Sequence, residues 1–508
     1  MRVTRLTLPE SERRWRSIAA RLPGDDPRPR PDCRAGALHR GCAPSRTGAP
    51  RYGEVVSDRL RRSGTAWPAA LLLVAMTAAV GCARMPRPVT AAGPQLRSPE
   101  VPVVLVPGIT GSKLRDRRTG EVVWGEASDL LCPRDGGYNL AVPLRGEPRL
   151  EAFEVIEEIR LGPARQGIYA PLIDALEARG YRQGRLQAPA DAGASLYAFA
   201  YDWRLSVVGA AGELAGALEE LRRARGEAVL EVDLICQSSG GHVCRWLAKY
   251  GGATLAEAEA GGPAPPQGVR VRRVVLVASA NGGSLRVLHQ LDRGRRYLKP
   301  FGRRMRPEVL FTLPALYEDL PHRADGLLLD TSGKPLPAEE SDLYDPETWR
   351  RLGWSVFGEE TSRRIEMAGR TDLFGTDADR IAFLRRMLQR ARRVQGLLAA
   401  DPPGFDEAVQ YLLLGNPYDD TPLRAVVVPT GRGFRTLYPG DRALEKMPYL
   451  KARATAPGDG HATVQSLLDL SPAERALVAA DPFWVPGGHF RLILEPAAHR
   501  RIAEFLLK

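Results

Sequence analysis

"VLEVDLICQSSGGHVCRWLAKYG", residues 229–251, runs from an apolar stretch through two serines and two glycines into a helix-like stretch. It reads as strand, tight turn and helix. A turn of this kind lifts one side chain off the carboxyl edge of a sheet. It needs small residues two before and two after that side chain, because backbones pass closely there. Around Ser238 those positions hold Cys236 and Gly240; around Ser239 they hold Gln237 and Gly241. Cys is smaller than Gln, so Ser238 is the favoured candidate nucleophile. Ser is also a common helix N-cap, so the turn alone leaves both readings open.

The surrounding pattern gives the turn a context. "VPVVLVPGITGSKL" (101–114) reads as a buried strand entering a Gly-rich turn, and 166–180 as a helix. "SLYAFAYDWRL" (195–205) reads as a strand, 211–225 as a helix, and "VRRVVLVASA" (271–280) as a strand. Strands alternating with helices predict a mostly parallel, doubly wound α/β sheet. From about 284 to 420 the alternation stops, and the clearest element is a helix over 380–400. "LRAVVVPTG" (423–431) resumes the sheet in this reading, "DPFWVPGGH" (481–489) gives its last strand and loop, and 496–507 a closing amphipathic helix. The expected organisation is a core over 101–283, an inserted cap or lid region over 284–420, and a second core segment over 421–508.

A serine attacks nothing at neutral pH without a base, an orienting acid and an oxyanion hole. In the α/β-hydrolase arrangement these follow the serine in the chain order acid, then base. "PGDGHATV" (457–464) offers Asp459 on a Gly-flanked turn, and "VPGGHFRLI" (485–493) offers His489 in a glycine loop before the last helix. Either residue alone reads equally well as a plain turn or loop residue. Their arrival in order, after late strands, favours the triad Ser238, Asp459, His489 and an α/β-hydrolase fold with a large inserted cap. His461 and His242 are weaker rivals for the base, one too close to Asp459 in sequence and the other inside the turn's own helix. The oxyanion donors expected are the backbone N–H groups of Ser239 and of Ile109, which follows Gly108 in "VPGITGS".

The chain has 508 residues, 44% of them hydrophobic, and a formal charge of +12. Such a charge raises nucleic acid or a membrane surface as partners. Residues 1–62 hold 15 Arg against 7 acidic residues, so most of the excess sits there, and no basic and aromatic stripe interleaves elsewhere. No nucleic-acid binding is expected. The six cysteines form no CxxC pair and no metal-like Cys/His spacing, so neither a disulfide scaffold nor a zinc site is expected. "PAALLLVAMTAAVG" (68–81) is uncharged, follows Arg59, Arg61 and Arg62, and precedes Cys82. It reads as a secretory signal, and fourteen residues are short for a bilayer span. Its end, Ala79-Val80-Gly81-Cys82, resembles a bacterial lipobox, which makes Cys82 the lipidation candidate. An ordinary cleaved signal and a buried helix remain as alternatives. Residues 1–54 are expected to be a spurious or disordered extension, with translation starting near Val55 or Val56. Residues 55–82 are the expected signal and 83–100 a tether.

Several stretches resemble the lecithin:cholesterol acyltransferase family, which includes lysosomal phospholipase A2 and the phospholipid:diacylglycerol acyltransferases. They are "PVVLVPGITGSKL" (102–114), "YDWRL" (201–205), "CQSSGGHVCRWLAKYG" (236–251), "GDGHATV" (458–464) and "GGHFRLI" (487–493). "LYDPETWRRLGW" (343–354) is similar to bacterial members. The resemblance covers about 101–508, and its match places the nucleophile on Ser238, the acid on Asp459, the base on His489 and the oxyanion donors on Ile109 and Ser239. It departs at Cys236 and Gln237, and no cysteine pair frames the early lid loop, since Cys132 stands alone. It implies a lipid O-acyltransferase or phospholipase working through an acyl-enzyme, with a phospholipid or other lipid acyl ester as substrate and a membrane surface as partner. A lipase or esterase using water is the nearer alternative, and a catalytically inactive surface lipoprotein that binds ligands the more distant one. No cofactor and no metal are implied, and a monomer exported to the cell envelope as an anchored lipoprotein, or secreted, is expected. "VLFTLPALYEDLP" (309–321) is a candidate lid or membrane-facing segment, with a packed cap helix as its alternative. Asp202 and Arg204 read as a structural ion pair beneath the site.

Overall fold

Apolar residues at alternate positions along short extended runs cover both faces of one central sheet. The computed structural model describes residues 100–131, 133–186, 193–261, 268–297, 302–323, 326–405, 407–431 and 433–508. The proposed extension, signal, lipidated Cys82 and all but the last residue of the tether lie outside the described residues. The central strands are β1 (Val103–Val106), β2 (Gln183–Gly184), β3 (Leu196–Ala198), β4 (Leu230–Gln237), β5 (Val269–Val277), β6 (Gln410–Gly415) and β7 (Phe483–Trp484). Their order across the sheet is β2-β3-β1-β4-β5-β6-β7. Every pairing in it is parallel.

Both faces are covered by helices, as a parallel sheet requires. On the sheet lie α1 (Ala170–Glu177), α2 (Val207–Arg225), α3 (Gly240–Tyr250) and α6 (Pro496–Leu506); α4 (Leu285–Arg293) and α5 (Asp377–Ala399) come between them in the chain, α5 packing on α3. Val104 and Val106 of β1 face Leu214 and Leu218 of α2 and Val243 and Leu247 of α3. Val103 and Leu105 face the opposite way, toward Leu172 and Ile173 of α1 and Ile502 and Ala503 of α6. Each fully buried aliphatic side chain contributes roughly 1.5–3 kcal/mol, so this two-sided burial fixes the register of the carboxyl edge where the turn of β4 lies. Pro107 follows β1 directly and, lacking an N–H, cannot extend the ladder.

One expectation is corrected, and one alternative is decided. Residues 423–431 do not rejoin the central sheet. Ala425–Thr430 pairs antiparallel with Gly433–Leu437 and parallel with Leu328–Leu329 in a separate three-stranded sheet. The central sheet regains its sixth strand earlier, at Gln410–Gly415. For the segment 309–321 the packed alternative holds. It forms short helices at Pro307–Phe311 and Pro314–Glu318, and Phe311, Leu313, Leu316, Tyr317 and Leu320 are all buried. Its apolar residues serve the core, packing on Phe383 of α5 and on Phe357 and Trp349.

"YDWRL" leaves the strand after Ala198 and turns beneath the β1 loop. The Asp202 carboxylate takes the Arg204 guanidinium in two hydrogen bonds of 2.9 and 2.6 Å. Arg204 is buried and also donates to the Leu140 carbonyl at 3.1 Å. The Tyr201 hydroxyl donates to the Pro107 carbonyl at 2.9 Å, and Trp203 Nε1 to the Ser112 carbonyl at 3.2 Å. The motif therefore holds the loop 107–112 in place.

Candidate active site

At the end of β4 the backbone of Ser238 adopts φ 55°. A non-glycine residue in this left-handed region costs of order 1–3 kcal/mol, and close packing holds it there. A Cβ on Gly240 would meet the Val106 and Pro107 carbonyl oxygens at 2.6 Å; one on Gly108 would meet Ser238 Cβ at 2.8 Å. Ser238 N donates to the Val277 carbonyl at 2.9 Å, and its own carbonyl accepts from Gly241 N at 2.9 Å. A disulfide joins Cys236, two residues before Ser238, to Cys244 in α3. Strand, turn and helix are thus covalently closed around the serine. Neither the disulfide nor the role of Gln237 was evident from the sequence.

Gln237 explains how the neighbouring loop is set. Tyr169 donates its hydroxyl proton to Gln237 Oε1 at 2.8 Å, and Gly108 N donates to both oxygens, at 3.1 and 3.2 Å. Burial pushes the Tyr169 phenol up from its ordinary value, so it remains a hydroxyl. Gly108 N–H is therefore committed. The next amide, Ile109 N–H, and that of Ser239 have no hydrogen-bond partner among the described residues. They stand on either side of Ser238, which is where an oxyanion hole needs free donors. Thr110, also at positive φ (73°), closes the turn.

Ser238 Oγ lies 2.8 Å from His489 Nε2, and His489 Nδ1 lies 2.8 Å from Asp459 Oδ2. Asp459 follows the strand Thr455–Gly458, which pairs antiparallel with Asp419–Pro422. Its second oxygen, Oδ1, accepts from the backbone N–H groups of His461 at 2.8 Å and Ala462 at 2.7 Å. A carboxylate so held orients the imidazole with its proton on Nδ1, which leaves Nε2 as the acceptor facing Ser238. The His489 loop is tied down by Asn416 Nδ2, which donates to the Gly487 carbonyl at 2.8 Å. Both Asp459 and His489 are buried.

The two other histidines considered as bases are placed elsewhere. The His461 ring lies against the His489 ring, centroids 4.3 Å apart. Burial, then the charges of His489, Arg295 and Arg286, push His461 well below the ordinary imidazole range. It stays neutral beside His489, and no hydrogen bond joins it to Ser238 among the described residues. His242 is fully buried in α3. Its Nδ1 lies 2.9 Å from Asp319 Oδ1 but out of line for a hydrogen bond. Ser239 Oγ donates to that same oxygen at 3.1 Å, so the second serine's side chain is engaged away from His489. Among the described residues no group of three or more His, Cys, Asp or Glu is placed to hold a metal ion.

One chain of the Tle4–Tli4 complex superposes with a TM-score of 0.53 at 14% identity, covering 80% of this chain and 98% of that one. Two lipases were also found, BlEst2 of Bacillus licheniformis in mature form and lipase B of Aspergillus fumigatus. Their TM-scores are 0.26 and 0.19 at 12% and 13% identity, with coverage of 83% and 96%, and of 62% and 67%. No protein-family model matches the sequence, and no curated protein does. The parallel sheet, the helices on both faces and the first of these likenesses give the chain an α/β-hydrolase fold.

Proposed function

We propose that the protein is a serine-dependent enzyme acting on lipid acyl esters through an acyl-enzyme. The single observation that carries this reading is the hydrogen-bonded chain Ser238–His489–Asp459, with 2.8 Å at each step, on a serine held at positive φ. His489 Nε2 takes the Ser238 proton as Oγ attacks the ester carbonyl. The carbonyl oxygen becomes an oxyanion and is received by the Ile109 and Ser239 N–H groups. The tetrahedral adduct collapses, the alcohol leaves with the proton from His489, and an acyl-serine remains. An incoming alcohol or water gives its proton to His489 and attacks that acyl group, which regenerates Ser238.

The resemblance to the lecithin:cholesterol acyltransferase family supports an alcohol as the second acceptor and a phospholipid as donor. The same reading includes the part of 284–420 that precedes β6 as a cap that receives acyl chains, a membrane surface as the place of work, and export with lipidation at Cys82. Labelling with a fluorophosphonate tests the nucleophile: wild type labels and Ser238→Ala does not. Equal labelling of the two would end the reading. Product partition tests the acceptor. With a phospholipid and abundant added alcohol, a new ester supports the transferase, and free fatty acid alone supports the hydrolase. Mass spectrometry of the exported protein tests lipidation, since an unmodified N-terminus other than Cys82 is incompatible with it.

A further inference from the structure

A chain of aromatic and cationic side chains links the loop after β1 to His489. Trp124 Nε1 donates to the Thr110 carbonyl at 3.2 Å, and the Trp124 ring meets Tyr297 edge-on, centroids 5.2 Å apart. The Arg295 guanidinium lies over Tyr297 at 4.5 Å and over Phe490 at 5.2 Å. Phe490 meets the His489 ring at 5.1 Å. Arg286 joins from the other direction. Its backbone N donates to Ser284 Oγ at 3.1 Å, and Ser284 Oγ donates to the His461 carbonyl at 2.5 Å.

These two arginines differ from their neighbours in what they lack. Among the described residues no carboxylate lies within 4.0 Å of either guanidinium. Arg295 reaches only Gln290 Oε1, at 3.5 Å, and the Arg286 side chain has no hydrogen bond. Three arginines that line a cavity of about 560 Å³ are engaged by other side chains. Arg293 pairs with Asp292, Arg306 with the Tyr138 hydroxyl and Arg364 with Glu308. Burial and the charge of Arg295 push Arg286 below its ordinary value, and both depress His461. Both positive charges are therefore felt at His461. Stacking on two rings leaves the N–H edge of Arg295 open apart from Nη1, which meets Gln290 Oε1, and a guanidinium fork matches phosphate oxygens two at a time.

We propose that Arg286 and Arg295 form a phosphate-binding subsite beside Ser238, which takes the headgroup phosphate of a phospholipid whose acyl ester reaches that serine. This deepens the proposed function and rests on it for the identity of the substrate. In a glycerophospholipid the phosphate and the acyl esters are a few bonds apart. An anion held beside His489 therefore positions an ester at Ser238 and distinguishes it from the ester of a neutral glyceride.

The test compares the full-length protein with Arg286→Gln, Arg295→Gln, Arg295→Lys and the double glutamine variant. Dioleoyl phosphatidylglycerol and dioleoylglycerol are presented in identical mixed micelles, and the quantity read is the ratio of the two kcat/KM values. Hydrogen bonds to charged groups at their usual strength predict a fall in that ratio of about 10-fold or more for each glutamine variant. Arg295→Lys, which keeps the charge, falls less. An unchanged ratio overturns the headgroup assignment. If inorganic phosphate then binds wild type but not the double variant by calorimetry, the site serves free phosphate, and the lipid assignment is equally overturned. Fluorophosphonate labelling reads Ser238 separately. If Ser238 does not label and no ester is turned over, the proposed function fails by itself. Dodecyl phosphate binding then decides the subsite: loss in the double variant supports it, and equal binding overturns it.

Discussion

Removing the Cys236–Cys244 disulfide perturbs the serine turn without touching a reacting group. The two residues are eight apart in sequence, so closing that loop lowers the entropy of the unfolded chain by an amount worth roughly 2.5 kcal/mol. Unfolding entropy scales at about 2.1 cal/mol/K per residue, so a folded body of roughly 400 residues carries about 0.8 kcal/mol/K. The quotient is a drop in melting temperature of about 3 °C for the crosslink alone. Cys236→Ala/Cys244→Ala also deletes two fully buried sulfur atoms, at roughly 1 kcal/mol each, and takes the drop to about 5–6 °C. Calorimetry separates the two contributions. Wild type is unfolded with dithiothreitol and refolded under reductant, then melted beside the oxidised protein and the alanine variant. The expected order is oxidised, then reduced, then alanine. Fluorophosphonate labelling of the variant stays within about 10-fold of wild type, because Gly240 and Gly108 still fit the turn without a clash. A reduced protein that melts within 1 °C of the oxidised one (about 1 kcal/mol on this scale) refutes the crosslink's stabilising role.

Three further outcomes follow from the geometry. Asp459→Asn leaves His489 oriented by the wrong partner, and ester turnover should fall by about 10⁴ with folding intact; a loss under 10-fold would remove Asp459 from the mechanism. Gly240→Ala forces a Cβ to within 2.6 Å of two backbone oxygens, so the variant should lose about 1–3 kcal/mol in urea unfolding and most of its labelling, and a silent substitution would contradict the close approach. Glu474 gives a pH dependence. Burial alone would raise its carboxyl, but the buried Arg245 guanidinium at 2.8 and 2.6 Å, with Lys249 nearby, holds it at about 2. The depressed value means stability that is full above the unfolded carboxylate value of about 4.3 and is lost as pH falls toward 2, about 3 kcal/mol in all. Glu474→Gln should flatten that acid limb and, by stranding Arg245 of α3, cost about 3–5 kcal/mol at pH 7. Urea midpoints from pH 2.5 to 7 check both, and parallel curves for the two proteins would refute the assignment.

Local patterns were legible where burial is two-sided. Strand β4 and helix α3 fall within a residue or so of the sequence reading, because a buried parallel strand followed by Gly-Gly has few other solutions. The sixth strand was not legible. "QYLLLG" and "AVVVPT" are both short apolar runs, and the β-branched residues made the second the better strand. Neither run carries information about which sheet it joins; that depends on where α5 delivers the chain. The disulfide escaped for a related reason. Cys236 and Cys244 are in reach only after strand and helix fold back across the turn, to a Cα separation of 6.5 Å, and a spacing of eight has no signature of its own. The segment 309–321 leaves both readings open for another reason: Leu, Phe and Tyr between prolines suit a lipid-facing flap and a buried corner, and composition does not separate them.

Gln237 and Asp319 account for how two adjacent serines come to differ. The sequence alone favours Ser238 by the size of its neighbours, a weak argument with Cys at the critical position. The folded chain supplies stronger ones. The left-handed φ at Ser238 reverses the chain between the two residues, so their side chains leave in different directions. Ser238 Oγ reaches His489; Ser239 Oγ reaches Asp319, at the end of the buried segment 309–321. That bond ties the cap to the turn and leaves Ser239 only its N–H to offer. On the other side Gln237 and Tyr169 occupy the Gly108 N–H, which moves the second free donor one residue on, to Ile109. A Gln in place of the more usual residue therefore selects which amide of the loop remains open, and a Cys in place of a smaller residue closes the turn covalently. Both departures from the expected motif act on the geometry of the turn itself.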